Sequence, residues 1–173
     1  MSGGSQLTVE RSSEGGLADL YARFVPSAVR LAFLLTGDRS QAEDLAHEAF
    51  VRCIGRFRHL RAHEAFDAYL RRAVVNLHTS RLRRRRTERA WLARNGATEA
   101  ARTTSMPDVG AREDLWRALR ELPARQRAAL VLRYYEDLSE RDTAAALGCS
   151  VAAVKALVQR GSQSLRTIVG EDG

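Results

Sequence analysis

The chain has 173 residues, 45% of them hydrophobic, which supplies enough apolar material for one helical domain of ordinary size or two small ones. Lysine and arginine outnumber aspartate and glutamate by 28 to 21, a formal charge of +7 with a pI near 10.4, and such a balance favours a polyanionic partner. No stretch approaches membrane-spanning length, and Cys53 and Cys149 match neither a disulfide framework nor a zinc-site spacing. Membrane insertion and a stapled secreted scaffold are therefore excluded as classes, and a reducing, cytoplasmic setting is expected.

In chain order, residues 1–16 are polar and rich in Gly and Ser, so they are expected to form a flexible N-terminal segment. Helical periodicity occupies residues 17–90. Within it, Ser40-Gln41-Ala42-Glu43 has the form of a capping box, which predicts a helix start there. Ala42, Leu45, Ala46, Ala49, Phe50, Cys53, Ile54 and Phe57 then repeat at three- and four-residue steps and predict one buried stripe. A later helix over residues 66–86 turns Leu70, Ala73, Val74 and Leu77 inward and places Arg71, Arg72, Asn76 and Thr79 elsewhere on its circumference. Three or four packed helices are expected in this half.

Residues 91–111, which include ATEAARTTSMPDVG, lack an apolar stripe and are expected to be a linker. Residues 112–169 resume the helical pattern, and residues 170–173 are a short tail. Leu115, Leu119 and Leu122 predict a short inward-facing helix, and Pro123 begins another, whose stripe is Ala128, Val131, Leu132 and Tyr135. Ser139 to Asp142 provides a further cap, Gly148 a turn, and Ser150 the cap of a last helix with Val151, Val154, Val158 and Leu165 inward. No internal repeat and no alternating run is present, so the expected fold is all-α: two small helical domains joined by a flexible linker.

Three signals bear on function. LSERDTAAALGCSVAAVKALVQRG has helix-turn-helix spacing, with small residues at Ala144 and Ala145 for a close crossing. Its second helix would offer Lys155, the chain's only lysine, with Gln159 and Arg160 to a DNA groove, and alanines including Ala153 as methyl contacts. A plain helical hairpin is the bland alternative. Direct readout by such a face is sparse, so phosphate positioning and DNA shape are expected to contribute. The second signal is the run Arg81, Arg83, Arg84, Arg85, Arg86 and Arg89, suited to duplex phosphates, with Asn76, Thr79 and Ser80 before it for separated bases; a solvated helix end would look similar. The third is acidic: Glu43, Asp44, His47 and Glu48 on the capped helix would repel DNA and suit a basic protein, while helix-dipole compensation explains Glu43 equally well. No positioned nucleophile or metal-ligand spacing is apparent, so neither an enzyme nor a bound metal or cofactor is expected.

Together these segments resemble the sigma-70 family, and within it the small extracytoplasmic-function class that keeps only domains two and four. SQAEDLAHEAFVRCIGRF resembles region 2.2, FDAYLRRAVVNLHTSRLRRRR regions 2.3 and 2.4, and LPARQRAALVLRYYEDLSERDTAAALGCSVAAVKALVQRG region four. The resemblance implies a sigma factor that binds core RNA polymerase through Asp44, His47 and Glu48. It also implies minus-ten contacts from Asn76, Thr79, Ser80, Arg83, Arg84 and Arg85, and minus-thirty-five contacts from Ser150, Ala153, Lys155, Gln159 and Arg160. Residues 59–64 would correspond to the loop that captures a flipped base, the linker would cross the polymerase interior, and an anti-sigma factor is an implied candidate partner of a protein monomeric outside the complex. The sequence departs from the family pattern at Ser80, Leu157 and Thr143. The competing reading is a stand-alone helix-turn-helix regulator, which would need neither the acidic face nor the asparagine-plus-arginine helix.

Overall fold

In the computed structural model, which describes residues 6–57, 63–95 and 110–171, every regular element is helical. The first half contains α1 (Gln6–Thr36), α2 (Arg39–Phe57) and α3 (His63–Asn95). The second contains α4 (Gly110–Glu121), α5 (Ala124–Leu130) running into a π-helical turn (Val131–Tyr135), α6 (Glu140–Leu147) and α7 (Val151–Glu171). The two helical clusters correspond to the all-α, two-part architecture expected. Residues 96–109, the greater part of the expected linker, and residues 58–62 lie outside the described residues.

Several boundaries differ from expectation for identifiable reasons. Helix α1 starts at Gln6, inside the segment expected to be irregular, and α3 continues to Asn95. Once a turn has been nucleated by packing, each added residue gains a hydrogen bond at little further cost, so a helix can extend past its apolar stripe. Helix α2 begins at Arg39, and its cap is Asp38: Oδ1 accepts from the Gln41 amide at 2.8 Å. Glu43 does not reach back to Ser40 but pairs with Arg39 at 2.9 Å, so the capping-box expectation is replaced by an aspartate cap two residues upstream. Gly37, in the left-handed region at φ 70°, makes the tight link between α1 and α2, and its amide donates to Phe33 O at 2.7 Å.

Leu31, Leu35, Leu45, Leu70 and Val74 are fully enclosed where α1, α2 and α3 meet. Phe66 closes one end, with ring centroids 5.3 Å from Phe24 and 5.8 Å from Phe50. In the second half Leu132, Val154 and Thr143 are enclosed among α5, α6 and α7. Gly161 lets α7 cross α5 closely, since a Cβ there would sit 3.0 Å from Leu130 Cδ1. Two stripes need correction. Leu115 is 50% exposed, the inward positions of α4 being Ala118 and Leu119, with Leu122 buried just past its end. Tyr135 is 46% exposed, because the wider π turn, closed by Glu136 N–H donating to Val131 O at 3.0 Å, carries it off the α-helical stripe. Val151 is likewise exposed at the start of α7.

The halves share one continuous apolar cluster. Phe33 of α1 meets Trp116 of α4 with centroids 5.1 Å apart. Arg127 of α5 is buried and donates from Nε to Leu35 O at 3.1 Å, from Nη2 to Thr36 O at 3.2 Å and from Nη1 to Arg120 O at 3.2 Å. Leu35 and Thr36 end α1, where carbonyls lack intrahelical donors and the helix dipole favours a cation. Burial, assisted by the neighbouring Arg120 charge, lowers the Arg127 pKa from its ordinary value.

Candidate nucleic-acid interface

Helix α3 is amphipathic up to His78 and almost wholly solvated after Leu82. Its stripe is spent on the core by Leu70, Val74 and Leu77, which leaves Asn76 and Ser80 exposed, followed by Arg83, Arg84, Arg85, Arg86 and Arg89. Thr79 is not on that face. It is 5% exposed, and its hydroxyl donates to Asn76 O at 3.1 Å within the same helix, so the expected base contact from Thr79 is corrected: the residue packs inward. His78 is buried as well. Burial first, then the Arg127, Arg85 and Arg81 charges, push its pKa down to about 3, and Nε2 has no hydrogen-bond partner among the described residues. A neutral, packed ring is thus the resting state of His78.

The acidic face lies beside this basic helix. Asp44 and His47 are exposed on α2, His47 standing edge-on to Tyr21 at 6.2 Å. Glu48 accepts from Arg81 at 2.5 Å and from Arg52 at 2.6 Å, while Arg85 donates to Gln41 at 2.9 Å. The Glu48–Arg81 and Gln41–Arg85 bonds hold α2 against α3, so part of the acidic face is also a brace for the basic helix. Sequence spacing alone could not show this, because Glu48 and Arg81 are 33 positions apart.

In the second half the local expectations map closely. Ser139 Oγ accepts from the Asp142 amide at 3.0 Å, Gly148 adopts φ 61°, ψ 46°, and Ser150 Oγ accepts from the Ala153 amide at 3.1 Å. The resulting helix-turn-helix presents Lys155, Gln159 and Arg160 to solvent, with Ala153 half-buried; Lys155 reaches Glu140 of α6 at 3.6 Å. Both partners are well exposed, a pairing that water and DNA phosphate readily displace. An open groove of about 430 Å³ beside this face is also lined by Arg133, Tyr134 and Arg166. Arg166 continues the stripe Lys155, Gln159, Ser162 at four- and three-residue steps, a signal the sequence carried; Arg133 and Tyr134 are brought in by the π turn. Leu157 is half-buried against the core, and Thr143 is fully buried with its hydroxyl unpartnered among the described residues.

Ser150 serves first as a cap, which leaves its hydroxyl proton available for an outside acceptor. Cys53 is buried, and that burial, opposed by Arg56, pushes its thiol up to about 11; both cysteines are free. No cluster of metal-ligating side chains occurs among the described residues, and none of their helices is long and apolar enough to cross a membrane.

Paired with an acidic face on α2 and a basic helix, the helix-turn-helix defines a two-part helical DNA-binding protein. Residues 20–88 match the model of sigma-70 region 2, and residues 112–165 match that of sigma-70 region 4. Among curated relatives, the RNA polymerase sigma-E factor of Streptomyces coelicolor is 34% identical over 142 residues, covering 80% of this chain and 77% of that protein. The ECF RNA polymerase sigma factor SigE of Mycolicibacterium smegmatis is 32% identical over 157 residues, covering 86% of this chain and 59% of that protein. A solved structure of the sigma factor RpoE with the anti-sigma factor NepR from Bartonella quintana has the same fold, with a TM-score of 0.59 at 23% identity, covering 88% of this chain and 96% of that one. The chain belongs to the sigma-70 family, in its extracytoplasmic-function class.

Proposed function

We propose that this protein is a sigma factor: it binds core RNA polymerase, directs it to promoters and holds the opened DNA, acting in the cytoplasm without catalysis of its own. The observation that carries the reading is the coexistence in one chain of an exposed acidic face on α2, a basic helix α3 and a helix-turn-helix with solvent-facing readers. A stand-alone regulator has use only for the last. Asp44, His47 and Glu48 form the polymerase-docking face, where charge complementarity sets orientation and encounter rate. Asn76 and Ser80 face the separated minus-ten strand, and Arg83, Arg84 and Arg85 hold phosphates beside it by counterion release. Ser150, Ala153, Lys155, Gln159 and Arg160 face the minus-thirty-five element, with Arg166 extending that surface. The chain from residue 91 to 111 links the two DNA-facing halves, and an anti-sigma factor covering both would keep them from polymerase.

The test is co-purification with bacterial core RNA polymerase of the wild type and Asp44→Arg, followed by transcription from a genomic promoter library. The expected result is association by the wild type, a loss of about tenfold or more in affinity on charge reversal, and transcription from a defined promoter set. Duplex-DNA binding without any association with core would instead establish the stand-alone regulator.

A further inference from the structure

From Arg83 to Asn95, helix α3 runs with almost no core beneath it: Leu92 is half-buried and every other residue is exposed. Local bonds hold its course. Thr87 Oγ1 donates to Arg83 O at 3.1 Å, Asn95 Nδ2 donates to Trp91 O at 2.8 Å, and Arg84 Nε lies 3.9 Å from the Glu88 carboxylate. Arg85 and Arg86 stand four and three residues before Arg89, a like-charge spacing that weakens a helix left in water and favours one covered by an anion. Trp91 lies within this charge with 62% of its surface exposed. An indole combines a large apolar face with an N–H donor, and one left outside the core among arginines has the make-up of a contact surface. Steps of four and three residues put Asn76, Ser80, Arg84, Thr87, Trp91 and Arg94 on one exposed strip. At about 1.5 Å per residue, Trp91 lies about 16 Å beyond Ser80, the length of about five stacked base pairs.

Resting on the sigma reading above, we propose that the far end of α3 is a further DNA contact: Trp91 and Arg94 seat on duplex DNA upstream of the opened minus-ten strand. The Trp91 ring packs on deoxyribose while its Nε1–H donates to a phosphate, and Arg94 holds a neighbouring phosphate. Duplex is the occupant because the strip carries cations and one large ring but no pocket for an unstacked base, and because its arginines complement a phosphate backbone. Upstream is the direction because the chain leaving Asn95 leads to the half that faces the minus-thirty-five element. Trp91 adds affinity that salt does not weaken, whereas Arg94 adds affinity through counterion release.

The experiment uses the full chain, free and with core polymerase, and reads fluorescence anisotropy from two fluorescein-labelled probes. One is a fork of duplex DNA with a single-stranded tail, and the other is the tail-bearing strand without its complement. Trp91→Ala is expected to weaken fork binding by about five- to tenfold and single-strand binding by less than about twofold. Trp91→Phe, which keeps a ring and loses the N–H, is expected to weaken fork binding by about threefold. Arg94→Ala is expected to lower the salt slope of fork binding by about 1, and Trp91→Ala to leave that slope unchanged. Alanine is the better helix former, so the truncation keeps α3 helical, which circular dichroism verifies. Equal losses on both probes would assign the ring to unpaired bases, and no loss on either would place Trp91 off the DNA; each result overturns the proposal. Core association lost in Trp91→Ala with DNA affinity kept would give the strip to polymerase and overturn it as well. Failure of the wild type itself to associate with core sinks the sigma reading alone, and the free-chain measurements still decide the duplex contact.

Discussion

The two halves reach similar ends by different means. The α1–α3 half is built on long helices and large side chains, with Phe66 against both Phe24 and Phe50, and several of its surface charges are already engaged: Glu48 with Arg81 and Arg52, Arg85 with Gln41. The α4–α7 half is built on short helices, small residues and local caps, and the polar side chains Gln159 and Arg160 of α7 stand in solvent. An electrostatically braced helix is suited to presenting a fixed face to a large partner. A capped helix-turn-helix needs little beyond its own turn to place its second helix, so the second half is the more self-sufficient in sequence and the first the more dependent on tertiary contacts.

The strongest challenge to this contrast is to empty each core in turn. Leu70→Ala and Leu132→Ala each remove a fully buried side chain and should each lower stability by about 2–5 kcal/mol. Because the apolar cluster runs through both halves, both variants are expected to shift one calorimetric transition. Two separate transitions, each moved by only one variant, would show that the halves are energetically independent.

His78 supplies the next largest effect. Its folded pKa, about 3, is below the ordinary histidine value of 6.5, so between those values the unfolded chain binds the extra proton. Stability is then fully present above about pH 6.5 and is lost as pH falls toward 3, by up to a few kcal/mol, about 1.4 for each pH unit of separation. Thermal melts across that window should show the loss, and His78→Phe should flatten it. An unchanged profile in the variant would remove His78 as the cause.

Smaller effects separate the caps. Asp38→Ala should cost about 1 kcal/mol, as should Ser139→Ala, whereas Ser40→Ala should change stability by no more than about half of that. A larger loss at Ser40 than at Asp38, measured by urea unfolding, would restore the capping box to Ser40. One change is expected to be a gain: Thr143→Val removes a buried hydroxyl with no partner among the described residues and should stabilise the chain by about 1 kcal/mol. A lower melting temperature would mean that the hydroxyl is satisfied and that the second half holds a polar bond in its core.

Sequence alone determined what depends on near neighbours. Apolar spacing set the inward faces of α2, α3 and α7; Ser139, Gly148 and Ser150 set the turn and the start of α7, each through a contact only a few residues long. Tertiary structure decided the rest, because the deciding partner was distant or because two local options were nearly equal. Asp38 and Ser40 were both competent caps, and packing at the α1–α2 link selected Asp38, with Gly37 in its left-handed turn. Thr79 has the polarity of a surface residue, yet α3 turns it inward. Arg71 meets Glu136 across 65 positions, and Arg127 finds the open carbonyls of α1 across 91 and 92. No periodicity encodes such pairings, since they arise only when two separately folded surfaces meet and each leaves unsatisfied charge or backbone where the other can complete it.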